Sequence, residues 1–265
     1  MKKILCLGEV LMRLSTTHHL RFNQSTAFNA NIGGAELNVA SSLAAFGLTS
    51  AFISKVPDNE IGEMALFEMK KNAVSAQHVA KGGKRLGLYY LEEGAAHRPS
   101  NVVYDRAHSA MCEAVVADWD WDEVFQDAGW LHLSGVTAGI SADAAQICLH
   151  AAQLAQKRNI KISCDINYRG KLWKYGKTSR EVMPELLSYA NIVFGNHKDA
   201  SLLFDIDFQT EGQSYEEASL KMYEQFAAQL PNAEVFLSTK RTVIDANQNR
   251  LFGQLFDGKH LLTTT

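Results

Sequence analysis

The sequence predicts an α/β fold: a mainly parallel β-sheet covered by helices on both faces, with a small extra β-sheet. Short continuous apolar runs alternate with stretches of helical spacing along most of the chain, which is the pattern of parallel strands joined by crossover helices. Two segments, 10–30 and 85–111, break that rhythm with aromatic and polar–apolar alternation, as in Leu88-Tyr89-Tyr90-Leu91. They read as antiparallel strands that leave the main layer and return as a lid or dimer surface. The composition supplies a core: 46% hydrophobic and 21% charged over 265 residues excludes intrinsic disorder and small disulfide scaffolds.

Residues 4–7 form an apolar run ending at Gly8, the mark of a buried parallel strand. Residues 35–46 place small and apolar side chains at helical spacing, and Gly47 ends that helix. Residues 51–56 read as the next strand, followed by a Pro57–Asp58 turn and a helix over 62–71. The order recurs with strands at 130–133, 161–165, 191–194 and 234–238, and helices at 141–157, 179–189 and 214–229. Residues 205–217 are acidic and polar, suited to a surface loop, and Asp257-Gly258-Lys259 suits a hairpin turn.

Lys plus Arg number 26 and Asp plus Glu 29, a net charge of −3. That balance offers no basic excess for a phosphate backbone, so no nucleic-acid partner is expected. Cys6, Cys112, Cys148 and Cys164 have no metal-ligand spacing and sit among apolar neighbours, as buried reduced thiols of a cytoplasmic protein do. The opening MKKILCLGEV is broken by Glu9 and lacks a cleavage site, so it reads as a strand and not a signal peptide. No stretch has the apolar length of a membrane helix, and no membrane partner is expected. There is no GxxxxGK[ST], and no GxGxxG follows the first strand. His18-His19 has the wrong spacing for two ligands on one helix face. His132, within an apolar strand, suits a satisfied core histidine.

The informative stretch is 31–47, NIGGAELNVASSLAAFG. Its two glycines serve either a plain loop-to-helix turn or the close approach of a ligand to the backbone and helix-start amides. Together with Gly62, this string resembles the N-terminal signature of the PfkB, or ribokinase-like, carbohydrate kinases. Gly8-Glu9 with Met12-Arg13-Leu14-Ser15, Gly33-Gly34-Ala35-Glu36-Leu37-Asn38, Gly87-Leu88-Tyr89, Tyr104-Asp105-Arg106 and His132-Leu133-Ser134-Gly135 are similar to the 2-keto-3-deoxygluconate kinase branch. Asp165-Ile166-Asn167-Tyr168-Arg169 followed by Leu172-Trp173 is the most specific match. The matches run in order over nearly all 265 residues.

The resemblance implies a ribokinase-like three-layer α/β/α sandwich over 1–265 with a small β lid, using ATP and Mg²⁺ to phosphorylate 2-keto-3-deoxygluconate at its terminal hydroxyl. It implies substrate contacts from Gly33, Gly34, Asn38, Tyr89, Tyr104, Arg106, Asn167 and Arg169. Arg suits a sugar carboxylate because its planar fork pairs both oxygens; the two tyrosines suit the carbon face of a sugar. It implies nucleotide contacts from Asn196, Thr239 and Lys240, and an indirect metal role for Asp199, which stands where the family has Glu. Residues 238–241, Ser-Thr-Lys-Arg, lack the glycines of the family's nucleotide loop and suit a solvated turn as well as a phosphate contact. The family's general base lies in a D-x-x-G-A/G-G-D segment. No aspartate in 1–265 has that context, so no catalytic residue is assigned; the base is expected beyond Thr265, and the 265-residue chain by itself is expected to be nearly inactive. A homodimer through the lid is expected, since its apolar edge strands would otherwise be exposed. The alternatives are a kinase for fructose or ribose, a non-catalytic sugar-binding relative and, on topology alone, an NAD-dependent oxidoreductase.

Overall fold

The computed structural model describes residues 2–245 and 248–264. Met1 and Thr265, the two ends of the expected domain 1–265, lie outside the described residues. The chain forms two compact units, one from residues 3–120 with 241–251 and the other from 121–240 with 252 onward.

The first unit holds β1 (Lys3–Leu7), β2 (Leu11–Thr16), β3 (Phe28–Gly33), α1 (Ala35–Ala45), β4 (Ser50–Val56), α2 (Glu60–Lys71), β5 (Ser75–Lys81), β6 (Gly87–Glu92) and β7 (Asn101–Asp105). Strands β1, β4 and β5 pair in parallel. Their apolar side chains bury against those of α1 and α2 in a core that includes Cys6, Leu37, Ala40, Phe52, Ala65 and Met69. Helix α2 starts where Asn59 accepts from the N–H groups of Ile61 and Gly62, with Glu60 and Glu63 in its first turn and Lys70 and Lys71 in its last. Both ends thus oppose the helix dipole with the favourable charge.

The lid is a separate four-stranded sheet in the order β3-β2-β6-β7. Its outer pairs are antiparallel, as expected, but the central pair β2–β6 is parallel. The expectation of purely antiparallel strands is corrected here for a topological reason. The chain makes a full excursion through α1, β4, α2 and β5 between β2 and β6, and a long crossover of that kind returns a strand in the same direction. The first lid segment also runs past residue 30, to Gly33.

The second unit holds α3 (Trp121–Phe125), β8 (Ala128–Ser134), α4 (Gly135–Ala138), α5 (Ala142–Lys157), β9 (Lys161–Asp165), α6 (Ser179–Leu187), β10 (Ile192–Phe194), α7 (His197–Phe204), α8 (Tyr215–Gln229), β13 (Leu261–Thr263) and the larger parts of β11 (Val235–Val243) and β12 (Asn249–Phe256), whose residues 241–243 and 249–251 belong to the first unit. Its strands lie in the order β13-β12-β11-β10-β9-β8. Pairing is parallel from β8 to β11 and antiparallel between β12 and β13. The turn expected at 257–259 joins these last two, with Asp257 Oδ1 accepting from the N–H groups of Lys259 and His260. Small residues line the buried face of α5 (Ala144, Ala145, Ala151, Ala152, Ala155), which brings the helix close to the sheet.

Several expected boundaries move. The acidic loop from 205 ends earlier than 217, because Ser214 and Glu217 form a capping box that starts α8 at Tyr215. The strand expected over 234–238 continues to Val243. Thr239, Lys240 and Arg241 are therefore strand residues with β12 beside them, and the reading of 238–241 as a turn is corrected. Cys6, Cys148 and Cys164 are buried as expected, whereas Cys112 is half-buried. His132 is the satisfied core histidine expected of it. Its Nδ1 lies 2.9 Å from Ser163 Oγ, and burial lowers its pKa to about 4.

An aromatic cluster consolidates the second unit. Phe226 lies 5.1 Å from Phe236 between ring centroids, and Tyr223 stacks on Phe256 at 5.8 Å. All four are buried to 1% exposure or less. Replacing Phe236 with Ala is expected to cost about 3–5 kcal/mol of unfolding free energy. Urea denaturation reads this as a lower midpoint at unchanged slope; a loss below about 1 kcal/mol would show that the cluster repacks around the void.

Candidate functional site

Glu9 lies just beyond the apolar first strand, and its carboxylate is buried at 2% exposure. A charge stays ionised at such a position only when paired and hydrogen-bonded. Arg106, immediately after β7 and 7% exposed, supplies both: its Nε donates to Glu9 Oε2 at 2.8 Å and its Nη2 donates to the same oxygen. Ser109 Oγ donates to the other oxygen, Oε1. The glycine pair of the signature stands against the same residue. A Cβ on Gly34 would sit 2.3 Å from the Glu9 carbonyl oxygen, so no other residue fits between β3 and α1 there. Gly33 faces Asn38, whose exposed side chain comes from the first turns of α1.

Tyr89 on β6 and Tyr104 on β7 are directly paired across the lid sheet, their rings 6.1 Å apart, and the Arg106 guanidinium lies 5.9 Å from the centre of the Tyr104 ring. Six of the expected substrate residues (Gly33, Gly34, Asn38, Tyr89, Tyr104 and Arg106) thus share the first unit. Arg106 differs from a free anion receptor, because two of its donors and its charge are already engaged by Glu9. Glu9 and Ser109 were not singled out for a role. The available signal was a carboxylate at the end of an otherwise apolar strand, beside a glycine.

The second unit carries a cavity of about 750 Å³ at the C-terminal ends of β9 and β10 and the middle of β11. Asn167, Arg169, Asn196, Asp199 and Thr239, all expected in the site, line it together. So do Asp165 and Gly195, neither of which was assigned a role, and residues of β12 and β13. Lys240 is not among the lining residues: its Nζ sits 3.6 Å from the centre of the Tyr215 ring, a cation–π contact on the other side of the strand. Strand alternation explains the difference, since Thr239 and Lys240 must point to opposite faces.

Asn196 and Asp199 have a structural duty as well. Asn196 Oδ1 accepts from Lys198 N–H at 2.8 Å, and Asp199 Oδ2 accepts from Asn196 N–H at 2.9 Å, a reciprocal cap on α7. Helix α7, overlooked as a helix because it is only two turns long, therefore begins at the cavity and turns its N-terminal dipole toward it. Asp165, at the end of β9, accepts from Asn167 N–H at 3.1 Å. Burial pushes its pKa up to about 6 against the opposing pull of that bond and of Arg169, and the Asp199 carboxylate adds to the rise. Asp199 is likewise raised by burial, with Arg169 and Lys198 acting against it. Among the described residues no three His, Cys, Asp or Glu side chains gather into a metal-binding group. Two carboxylates facing a wide cavity do suit Mg²⁺, which takes one or two carboxylates and otherwise keeps water and phosphate oxygens.

Two predictions follow from these charges. Replacing Glu9 with Met leaves a buried guanidinium unpaired and is expected to cost about 3–5 kcal/mol, whereas pairing Glu9→Met with Arg106→Met recovers most of the loss. Urea unfolding of the two variants checks this; a double variant no better than the single one would show that the pair contributes more than charge compensation. For Asp165, the unfolded carboxyl releases its proton near 3.8 and the folded one near 6. Folding is therefore opposed increasingly as pH rises through that window, and the penalty persists above it. Asp165→Asn is expected to be more stable than the parent at pH 7 and equal to it near pH 4. A stability difference independent of pH would contradict the assignment.

A family model for pfkB family carbohydrate kinases matches residues 1–239. Among curated relatives, the 2-dehydro-3-deoxygalactonokinase of Haloferax volcanii is 28% identical over 205 residues, 77% of this chain and 64% of that protein. The 2-dehydro-3-deoxygluconokinase of Bacillus subtilis is 28% identical over 198 residues, 74% of this chain and 60% of that protein. The chain thus spans less than two thirds of the length of both. Among solved structures, 2-dehydro-3-deoxygluconokinase from Thermotoga maritima superposes with a TM-score of 0.92 at 34% identity, covering 99% of this chain and 79% of that one. A PfkB family carbohydrate kinase from Listeria grayi gives 0.91 at 35% identity, with the same coverage. The ribokinase-like α/β fold with a smaller β-sheet lid is confirmed, and the chain belongs to the pfkB family of carbohydrate kinases.

Proposed function

We propose that this protein phosphorylates 2-keto-3-deoxygluconate at its terminal hydroxyl, giving the 6-phosphate, with ATP as donor. The observation that carries the reading is the placement of Arg169 on the wall of the same cavity as Asn196, Asp199 and Thr239, together with its likeness in sequence to sugar-acid kinases. A carboxylate-bearing sugar gives an exposed arginine on the wall of this cavity a partner that fructose or ribose lacks.

In this reading Arg169 pairs the substrate carboxylate and Asn167 orients the adjoining hydroxyls. In the first unit, taken by itself, the family resemblance gives sugar contacts to Tyr89, Tyr104, Asn38 and the Gly33-Gly34 turn. Asn196 and Thr239 contact phosphate oxygens, helped by the N-terminal dipole of α7. Asp165 and Asp199 would hold Mg²⁺, which when bound neutralises phosphate charge during in-line transfer. A cation there would offset the penalty that burial places on the ionised Asp165. What these residues supply is positioning and charge complementarity, the main components of phosphoryl transfer. No residue of this chain is assigned the general base, so binding is the primary readout and turnover the second. A cytoplasmic location and a homodimer formed through the lid complete the proposal; among the described residues no helix is long and apolar enough to cross a membrane.

Losing one charged hydrogen bond costs about 1.5–3 kcal/mol, so Arg169→Ala is expected to weaken binding of the acid roughly ten- to a hundredfold. Calorimetry with 2-keto-3-deoxygluconate, its galactonate epimer, fructose and ribose tests both points. Preference for the acids, lost in the variant, supports the reading, as does acid-dependent ADP release in the presence of ATP and Mg²⁺. Equal binding of acid and neutral sugars, or an unaffected Arg169→Ala variant, would exclude the carboxylate assignment.

A further inference from the structure

The segment after β9 is bent at two unusual places. Asn167 has φ +36° and Trp173 φ +42°. Asn enters the left-handed region readily, but a residue as bulky as Trp does so rarely, and only where its surroundings hold it there. Those surroundings are the end of the short helix α4. Trp173 N–H donates to Gly139 O at 2.9 Å, and Tyr175 Oη donates to Ala138 O at 2.8 Å. The indole lies flush against Gly139, where an added Cβ would come within 3.0 Å of Cε2 and 3.1 Å of Nε1. The Trp173 and Tyr175 rings are 6.1 Å apart and tilted by 34°, so both side chains clamp the same helix end.

Between the two bends stand Tyr168 and Arg169, both exposed and both lining the cavity. Leu172 N–H donates back to Arg169 O at 2.9 Å, closing a turn that ties the arginine's own backbone to the residue before Trp173. Arg169 has no direct seat in the protein core; its position is inherited from this turn. The indole N–H of Trp173 is buried and donates to no partner among the described residues. The ring is therefore retained there for its shape and area, not for a hydrogen bond.

We propose that Trp173 is a positioning residue for Arg169: seated on Gly139, it locks the 167–173 turn so that the guanidinium stands at the cavity wall ready to take a sugar carboxylate. The proposal rests on the reading of Arg169 as the carboxylate partner. It explains why a large aromatic is tolerated in a left-handed conformation and why its neighbour at 139 carries no side chain. Without the lock the turn samples several conformations, and the arginine must be ordered at each binding event.

The test is a double-mutant cycle read by calorimetry, with 2-keto-3-deoxygluconate as acid probe and fructose as neutral probe. Trp173→Ala is expected to weaken acid binding roughly three- to thirtyfold and to leave fructose binding within about twofold. In an Arg169→Ala background the same substitution is expected to cause no further loss of acid binding. Gly139→Ala, which alters no cavity residue but displaces the indole, and Trp173→Phe, which sacrifices no hydrogen bond, are expected to give the same selective effect on a smaller scale. These two decide the matter if Trp173→Ala fails to show a cooperative thermal transition. A purely structural role would weaken both probes alike and add to Arg169→Ala, and that result overturns the proposal. Acid binding unchanged in Trp173→Phe and Gly139→Ala, while Arg169→Ala weakens it, overturns the proposal but leaves the substrate reading standing. If Arg169→Ala itself is silent, both fall.

Discussion

The buried ion pair between Glu9 and Arg106 is the constraint around which the first unit is arranged. It joins the end of the first main-sheet strand to the last lid strand, residues nearly a hundred positions apart. An ion pair taken out of water gives little net stability, since desolvation offsets most of the attraction. What it does give is a penalty for every arrangement in which the two charges part. The backbone of Glu9 also presses on Gly34, so the same residue sets the path of the Gly33-Gly34 turn. Lid, first strand and glycine turn are in this way made to agree on one geometry.

The second unit is governed by a different balance. Its cavity has two carboxylates on its wall, both disfavoured as ions by burial, and one exposed arginine, Arg169, working against that for both. The start of α7 adds a positive dipole to the same space. Such a wall is poorly satisfied when empty of cations and phosphate, and better satisfied when both are present. Asn196 and Asp199 thus serve the cap of α7, occupying the N–H groups of Lys198 and Asn196, while also lining the cavity.

Much of the alternation of strands and helices was legible, because buried parallel strands and amphipathic helices each write a distinct period into the chain. Elements shorter than that period were not. Helix α7 spans eight residues and its cap, Asn196 to Asp199, reads equally as a ligand motif. The parallel centre of the lid was hidden for another reason: local alternation reports that a segment is a strand, not which distant strand it meets. Among the residues lining the cavity, Asn167 and Arg169 were singled out through the resemblance of their motif to a known family. Glu9 was visible only as an interruption of an apolar run, since its partner lies too far along the chain for spacing to connect them. The duty of Lys240 depended on strand alternation beyond the point where the strand was expected to stop.

The parallel pairing at the centre of the lid carries a consequence for how the chain folds. A hairpin closes on itself from residues already adjacent, whereas β2 and β6 can meet only after the α1–β4–α2–β5 stretch has compacted and brought their ends together. The lid's central pairing is therefore entropically deferred, and the small sheet is assembled late and on a template. For the same reason it is no transplantable module: cut from the intervening layer, its four strands would have the right side chains and no route to their register.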